Sequence, residues 1–324
     1  MTTASDKPKI DPNWMTVGDL FEENFIFRVP KYQRGYAWDE SQLNDFISDL
    51  DKCYEARSKG TSRHHLFGGI VSAEGPMPGP SRKLCDLIDG QQRLATFIIF
   101  VSHLVSSYLS IADESAMAGE TANQAIAETS ARRLTTKYLE YNYGRNRRQE
   151  KIDRFEFSSR DQQFFKDTIN GTSPEPKRDS HNKLKYAVDI IGSELRKKIK
   201  PLLTITEKLN ALKTFETVLH EDCTVIHIVA DSKSEAHRLF QVLNDRGTNL
   251  TDGDLLRART LEILSSSELA EQHQAAEAAW DEILEDAPEF TNDFLMWFYA
   301  SVIGKRPKKM DLFDNFLDAY LPST

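Results

Sequence analysis

The order of apolar and polar positions alternates between two periods along this chain. "FIFRVP" (25–30) reads as a short strand ended by Pro30, and the polar, aromatic run "KYQRGYAW" after it predicts a loop. Asp39 with Gln42 three residues on has the form of a capping box, after which Leu43, Phe46, Ile47, Leu50 and Tyr54 mark one face of a helix. "HLFGGIVSA" predicts a second strand whose paired glycines permit close backbone approach. "GPMPGPS" is a turn-rich loop and "KLCDLI" a third strand. From Gln91 to about Ser110 the composition predicts a core helix, and an Ala- and Glu-rich stretch continues helical through Tyr141. "RFEFSS" then suggests a brief strand, "RDQQFFKDTI" a helix, and 170–182 an exposed loop. Lys183–Lys198 and Glu207–Leu219 read as helices, and "CTVIHIVA" (223–230) as a strand rejoining the sheet. Ser232 with Glu235 and Thr251 with Asp254 form capping-box pairs that open "SEAHRLFQVLN" and "DGDLLRARTLEIL". The remainder, from about Ser267, predicts helices anchored by Trp280, Ile283, Leu284, Phe294, Trp297 and Phe298.

This order predicts an α+β fold, a small mixed sheet with a large helical portion. The segments expected are a disordered lead-in over 1–16, a core over 17–111 and a helical insertion over 112–222. A strand and helices completing the core follow over 223–262, then a C-terminal helical segment over 263–324. With 324 residues, 40% of them hydrophobic, the chain is long enough for about two domains. Cys53, Cys85 and Cys223 lie far apart with no CxxC pair, which suggests neither a disulfide framework nor a thiolate zinc site and fits a reducing cytoplasm. The N-terminus lacks the basic-then-apolar pattern of a signal peptide. The greasy run Leu94–Leu109, broken by His103 and serines, is too short for a bilayer, so no membrane is expected. A formal net charge of −9 argues against coating nucleic acid by overall attraction. DNA contact is left to local patches, Arg145, Arg147, Arg148, Lys151 and Arg154 in "GRNRRQEKIDR" and Lys305, Arg306, Lys308 and Lys309 in "GKRPKK", each of which also fits a solvated charged face.

The chemistry concentrates at "LIDGQQRLATF", where a strand gives way to a helix. The first N–H groups of a helix have no intrahelical partner and carry partial positive charge, so such a junction receives anions. Gly90 permits a tight turn, Arg93 can fork onto a phosphate, and Gln91 and Gln92 can orient a water or a base. Asp89 beside a phosphate site is repulsive unless it holds Mg²⁺ or takes a proton. The plainer alternative is that Asp89 caps the helix and Arg93 pairs with it. "VPKYQRGYAW" places Tyr32, Gln33 and Arg34 beyond a strand end, and loops on neighbouring strands converge there. Packing alone is the plainer role for Tyr36 and Trp38. In "NDRGTNLTDGDL", Gly247 reads as a C-cap, and Arg246 is a candidate to reach a nucleotide from the opposite side. The histidines show no metal-ligand spacing, and no Walker A, GxSxG or HExxH pattern is present.

"FRVPKYQRGYAW", "HLFGGIVS", "LIDGQQRLATF" and "LFQVLNDRGTNLTDGDLLRA", in this order, resemble the N-terminal domain of GmrSD-type modification-dependent restriction enzymes, and within that family the phosphorothioation-sensing restriction factors. The resemblance implies a sheet of ParB/sulfiredoxin-like type, NTP hydrolysis, and sensing of modified DNA in defence against phage. By position it makes Asp89, Gly90, Gln91, Gln92 and Arg93 the nucleotide-hydrolysis motif, with Asp89, Gln91, Gln92 and Arg93 hydrolytic, and sets Tyr32, Gln33, Arg34 and Gly35 along the adjoining pocket. Together with the residue reading, the nucleotide contacts expected are Gly90, Arg93, Arg34, Gln33 and Arg246. Asp89 would place Mg²⁺ with GTP, ATP or UTP. Pro30, Tyr32, Gln33, Arg34, Gly35 and Tyr36 would sense the modification, and Arg145, Arg147, Arg148 and Lys151 would meet the DNA backbone. Sulfiredoxins carry a reactive cysteine where this chain has Gln91, so peroxiredoxin repair does not fit. The partners implied are double-stranded modified DNA, an HNH nuclease domain or partner chain, and a second copy of the protein. No HNH motif lies within the sequence, so the chain by itself is not expected to cut DNA. A non-catalytic DNA-binding module and a ParB-like nucleotide clamp remain as alternatives.

Overall fold

The computed structural model describes residues 12–22, 25–30, 33–75, 83–145, 148–158, 160–230, 252–264, 269–286, 290–307 and 312–320. They fall into two units, one formed by 1–30 with 35–240 and the other by 31–34 with 241–324. The first unit begins with β1 (Pro12–Thr16), α1 (Val17–Glu22), β2 (Phe25–Arg28), α2 (Glu40–Ser58), β3 (His65–Glu74), β4 (Lys83–Asp89) and α3 (Gln91–Met117). It continues with α4 (Thr121–Leu134), β5 (Glu140–Arg145), β6 (Arg148–Asp153), β7 (Phe155–Glu156), α5 (Gln162–Ile169), α6 (Asp179–Ile199), α7 (Ile205–Thr217) and β8 (Cys223–Ala230).

The fold is mixed α+β, with a six-stranded sheet in the order β1-β8-β3-β4-β2-β7. β2 runs parallel to β4 in the register Phe25↔Lys83 to Arg28↔Asp86, so both strands deliver their C-terminal ends to the same sheet edge. β3 returns antiparallel beside β4, and β8 lies parallel to β3. Aromatic and β-branched residues predominate in β2 (FIFR) and β8 (CTVIHIVA), while Leu84, Cys85, Leu87 and Ile88 are the buried apolar residues of β4.

α3 is the axis of the core. Leu94, Phe97, Ile98, Val101, Leu104, Tyr108 and Ile111 are buried along it, and Phe97 meets Phe46 of α2 and Phe67 of β3 edge-on at 5.0 and 5.1 Å. The helix runs to Met117, past the expected end near Ser110, and over 27 residues it is long and apolar enough to cross a membrane by length and composition. Some 67% of its most apolar stretch is buried inside the protein, which accounts for that composition without a bilayer.

The stretch expected to stay helical through Tyr141 instead leaves α4 at Leu134. It passes through a π turn (Thr135–Leu139) and becomes the β5–β6 hairpin, in the register Glu140↔Asp153 to Arg145↔Arg148. Period-two placement of Leu139, Tyr141 and Tyr143 outweighs the helical signal upstream. α6 starts at Asp179, inside the stretch expected to be a loop, with that carboxylate in its first turn. α7 starts at Ile205 behind a capping box in which Thr204 and Glu207 exchange bonds of 3.1 and 2.9 Å.

The second unit contains α8 (Asp252–Ile263), α9 (Ala270–Asp286), α10 (Thr291–Ile303) and α11 (Leu312–Tyr320). Leu256, Leu295, Met296, Tyr299, Leu312 and Phe316 form its core, with Trp280 against it. Phe294, Trp297 and Phe298, expected as anchors, are 46%, 65% and 44% exposed, and α10 turns Leu295, Met296 and Tyr299 inward instead. A helix apolar on every side gives no periodic signal to choose its face. The helix expected over "SEAHRLFQVLN", the "NDRGTNL" segment and the Thr251 cap lie outside the described residues.

Candidate functional site

At the sheet edge where β2 and β4 end, the passage from β4 to α3 takes a single residue. Gly90 is the N-cap with φ 91°, and a Cβ there would lie 2.9 Å from Ile70 Cγ1 and 3.0 Å from Gly69 O. Both backbone conformation and proximity to β3 therefore require glycine. A glycine N-cap has no side chain to bond the first turn, and Leu94 N–H is the first to bond back, to Gly90 O at 3.0 Å. The N–H groups of Gln92 and Arg93 come before this first rung of the helix ladder.

Arg93 lies over β3. Its Nη1 donates to Gly69 O at 2.9 Å, and a Cβ on Gly68 would lie 2.8 Å from Arg93 Nε, so the first glycine of the pair makes room for the guanidinium. Asp89 Oδ2 stands 3.8 Å from Nη1, a loose ion pair one turn apart, with the two side chains 37% and 32% exposed. Asp89 is thus paired with Arg93 but does not cap the helix. Arg93 Nε and Nη2 have no partner among the described residues, and a planar guanidinium uses such a fork on an oxyanion.

Gln92 does different work from that expected of it. Its Nε2 donates to Gly35 O at 3.0 Å and its Oε1 accepts from Ala37 N–H at 2.9 Å. The side chain is 7% exposed and bound at both ends, so it fixes the loop after β2 and is not placed to orient a water. Tyr36, expected on the surface that senses DNA, is only 2% exposed. Thr96 Oγ1 donates to Gln92 O at 2.7 Å and so takes its second bond, of 2.8 Å, from the Tyr36 hydroxyl. Burial raises the Tyr36 pKa beyond its ordinary range, the Thr96 bond opposing only in part, so the phenol stays protonated. Behind the loop, the buried Asp161 accepts from Tyr36 N–H at 3.3 Å and from Ser180 Oγ at 2.9 Å. His181 Nδ1 accepts from Lys177 N–H at 3.2 Å, which turns Nε2 toward Asp161 Oδ1 at 3.4 Å. Burial lowers the His181 pKa, with Asp161 opposing.

Of the other loop residues, Pro30 is buried, Gly35 half-buried and Arg34 exposed, while Gln33 is 6% exposed. Tyr32 lies outside the described residues. Gln33 and Arg34 belong to the second unit and Arg93 to the first. Gln91 is buried in the first turn of α3. Arg246 and Arg147 lie outside the described residues. Arg145 and Arg148 face each other in the hairpin register, and Lys151 pairs with Glu140 at 2.7 Å. Arg154 is buried, its Nη1 on Phe25 O at 3.4 Å, so this member of the basic run is internal. One ion pair beside the motif escaped the sequence reading, in which Arg28 Nη2 lies 2.6 Å from the buried Asp86 across β2 and β4. No group of three or more metal-ligating side chains is assembled among the described residues. Cavities of about 160 and about 200 Å³ open along the middle of α3 against α5, away from Asp89–Arg93.

A search of curated proteins returns no match. A family model described as GmrSD restriction endonuclease, N-terminal domain, matches residues 17–261, which takes in the sheet apart from its edge strand β1, the loop after β2, the turn into α3 and most of α8. The chain therefore belongs to the GmrSD restriction endonuclease N-terminal domain family.

Proposed function

We propose that this protein is the NTP-hydrolysing sensor module of an anti-phage restriction system, one that recognises phosphorothioated DNA and controls an HNH nuclease supplied by a further domain or a partner chain. The observation carrying this reading is the start of α3, a helix end capped only by Gly90 with the open fork of Arg93 and the half-exposed carboxylate of Asp89 beside it. Terminal phosphates are anions that this set of donors suits, because backbone N–H groups and a guanidinium can hold the charge that spreads over the phosphoryl oxygens during transfer. Gln91, beside them in the first turn, belongs to the same hydrolytic set. Mg²⁺ is commonly held by one or two carboxylates together with nucleotide phosphates, and the single carboxylate of Asp89 fits that manner of binding better than a site built wholly from protein. When bound, the ion would neutralise phosphate charge.

DNA would approach the loop after β2, where Arg34 is the exposed cation. A sulfur-substituted phosphate is larger and more polarisable than an ordinary one, and Pro30, Tyr32 and Gln33 give the loop its apolar and amide character. Arg246 would add a nucleotide contact, and the sheet would be of ParB/sulfiredoxin-like type. Within the family, the protein would stand nearest in role to the phosphorothioation-sensing restriction factor SspE. A second reading, a DNA-binding module without turnover, draws on the hairpin register that sets Arg145 against Arg148, with Lys151 on the same strand as Arg148 and Arg147 next to it in sequence.

Phosphate release from GTP, ATP and UTP, measured with ordinary and phosphorothioated duplexes, tests the proposal. Turnover is expected to rise with the modified duplex and to fall by about 100-fold in Arg93→Ala, a loss typical of removing a donor to developing charge. Asp89→Ala is expected to abolish the Mg²⁺-dependent part. Salt-dependent DNA binding with no phosphate release would favour the second reading, and unchanged turnover in both variants would refute the hydrolytic assignment.

A further inference from the structure

The loop that would meet DNA and the helix start that would meet phosphate are joined by particular bonds. Gln92 stands between Gln91 and Arg93 in the first turn of α3, yet its amide is used wholly by the loop, through Gly35 O at 3.0 Å and Ala37 N–H at 2.9 Å. An amide side chain that offers both a donor and an acceptor to an extended backbone imitates one rung of a sheet. Four residues on, Thr96 takes the Tyr36 hydroxyl, adding a second tie between the same loop and the same helix. Asp161 holds the other side through Tyr36 N–H, with Ser180 Oγ fixing its second oxygen. The fit leaves no slack, since a Cβ on Gly35 would lie 2.5 Å from Asp161 Oδ2 and 2.8 Å from Ser180 Cβ. Gln92, Tyr36, Thr96 and Asp161 are all buried, so breaking any of these bonds leaves a polar group without water to replace its partner. Displacing the loop thus either costs several bonds together or moves the start of α3 with it.

We propose that Gln92 and Asp161 are positioning residues that couple the loop to the nucleotide turn, so that DNA engaging the backbone at Gly35–Ala37 changes the placement of the α3 N-terminus and of Arg93. The inference rests on the function proposed above, with Asp89, Gln91 and Arg93 at the phosphates, and gives that site its regulation. Neither positioning residue touches the reacting atoms.

The experiment uses the full chain and the variants Gln92→Met, Asp161→Ala and Asp161→Asn. The readouts are hydrogen exchange at the Tyr36 and Ala37 amides and phosphate release with and without phosphorothioated duplex. Gln92→Met and Asp161→Ala are expected to speed exchange at these amides by about tenfold, the equivalent of one buried hydrogen bond. Asp161→Ala should hydrolyse NTP without DNA at a rate close to that of the wild type while losing most of its response to the modified duplex. Asp161→Asn retains an acceptor for Tyr36 and should keep the response, which a requirement for the negative charge would not allow. If Asp161→Ala does not fold, Gln92→Met carries the test through amide exchange and the ratio of turnover with and without the modified duplex, whatever its basal rate. A full DNA response in Gln92→Met despite faster exchange overturns the coupling, as does exchange unchanged from the wild type. A wild-type chain that releases no phosphate with any duplex refutes the function proposed above, and exchange alone then decides whether Gln92 and Asp161 hold the loop.

Discussion

At the scale of single residues, the firmest constraint is Gly90. Its φ of 91° is costly for any residue with a Cβ, and the added atom would press on Ile70 Cγ1 and Gly69 O at 2.9 and 3.0 Å. Gly90→Ala should therefore destabilise the first unit by about 1–3 kcal/mol, read from urea unfolding, and shift the N–H groups that would hold phosphate. A result within error of wild type would mean the turn adopts another conformation. His227 sets a pH limit of its own. It is 1% exposed, bonded to Ser72 Oγ at 2.9 Å and edged by Phe25 and Phe27. Burial lowers its pKa from the ordinary 6.5 to about 4, so the unfolded chain takes up a proton before the folded one does. Stability is then complete above pH 6.5 and is lost as pH falls from there toward 4, by up to about 3 kcal/mol from this group. His103, His181 and His220 are shifted in the same direction, chiefly by burial. His227→Gln should flatten, but not abolish, the fall in urea midpoint between pH 7 and pH 4.5. An unaltered slope would show that the imidazole does not titrate with folding.

At the scale of elements, what was legible in the sequence was whatever local chemistry dictates. Asp39 and Gln42 announced the start of α2, and the structure closes that box with Asp39 accepting from Ser41 N–H and Gln42 accepting from Asp39 N–H, both at 2.9 Å. The strand, glycine and apolar helix of β4 and α3 were equally plain, because a positive-φ glycine between two buried elements leaves few alternatives. The sequence set Tyr32, Gln33 and Arg34 beside the start of α3 through the expectation of neighbouring strands; the bonds that the structure shows from that start, those of Gln92, reach Gly35 and Ala37 farther along the same loop. The role of Gln92 itself was not legible. Its partners are backbone groups 57 and 55 residues away, and one amide in a motif looks the same whether it meets a water or a distant loop. Asp161 was hidden for the same reason, since it lies 125 residues from the Tyr36 N–H it binds. The β5–β6 hairpin was missed where a charged helix gave way to alternation only a few residues long. On α10 the hydrophobic surplus erased the period, and nothing local distinguishes Leu295 from Phe294.

At the scale of the whole molecule, the hydrophobic cluster about α3 and the cluster of the second unit share no residue among those described, and the first is much the larger there. Among the described residues, the first unit gathers its sheet and six further helices about α3, whereas the second rests on a small set led by Leu256, Leu295, Leu312 and Phe316. Core size limits the free energy available to a cooperative unit, so the second should open under milder denaturant than the first. The chain has four tryptophans, and they divide between the units, with Trp14 and Trp38 in the first and Trp280 and Trp297 in the second. Trp38 packs against Phe46 at 6.1 Å and Trp280 against the second cluster, so each reports on its own core. Leu256 is 1% exposed, and Leu256→Ala should cost about 2–5 kcal/mol from lost transfer energy and the cavity left behind. That loss should move the urea midpoint seen by Trp280 fluorescence, isolated by replacing the other three tryptophans with phenylalanine, and leave the midpoint seen by Trp38 in place. Equal shifts at both reporters would mean that the chain unfolds as one cooperative body, in which case a disturbance in either unit would reach the turn at Gly90 through global stability.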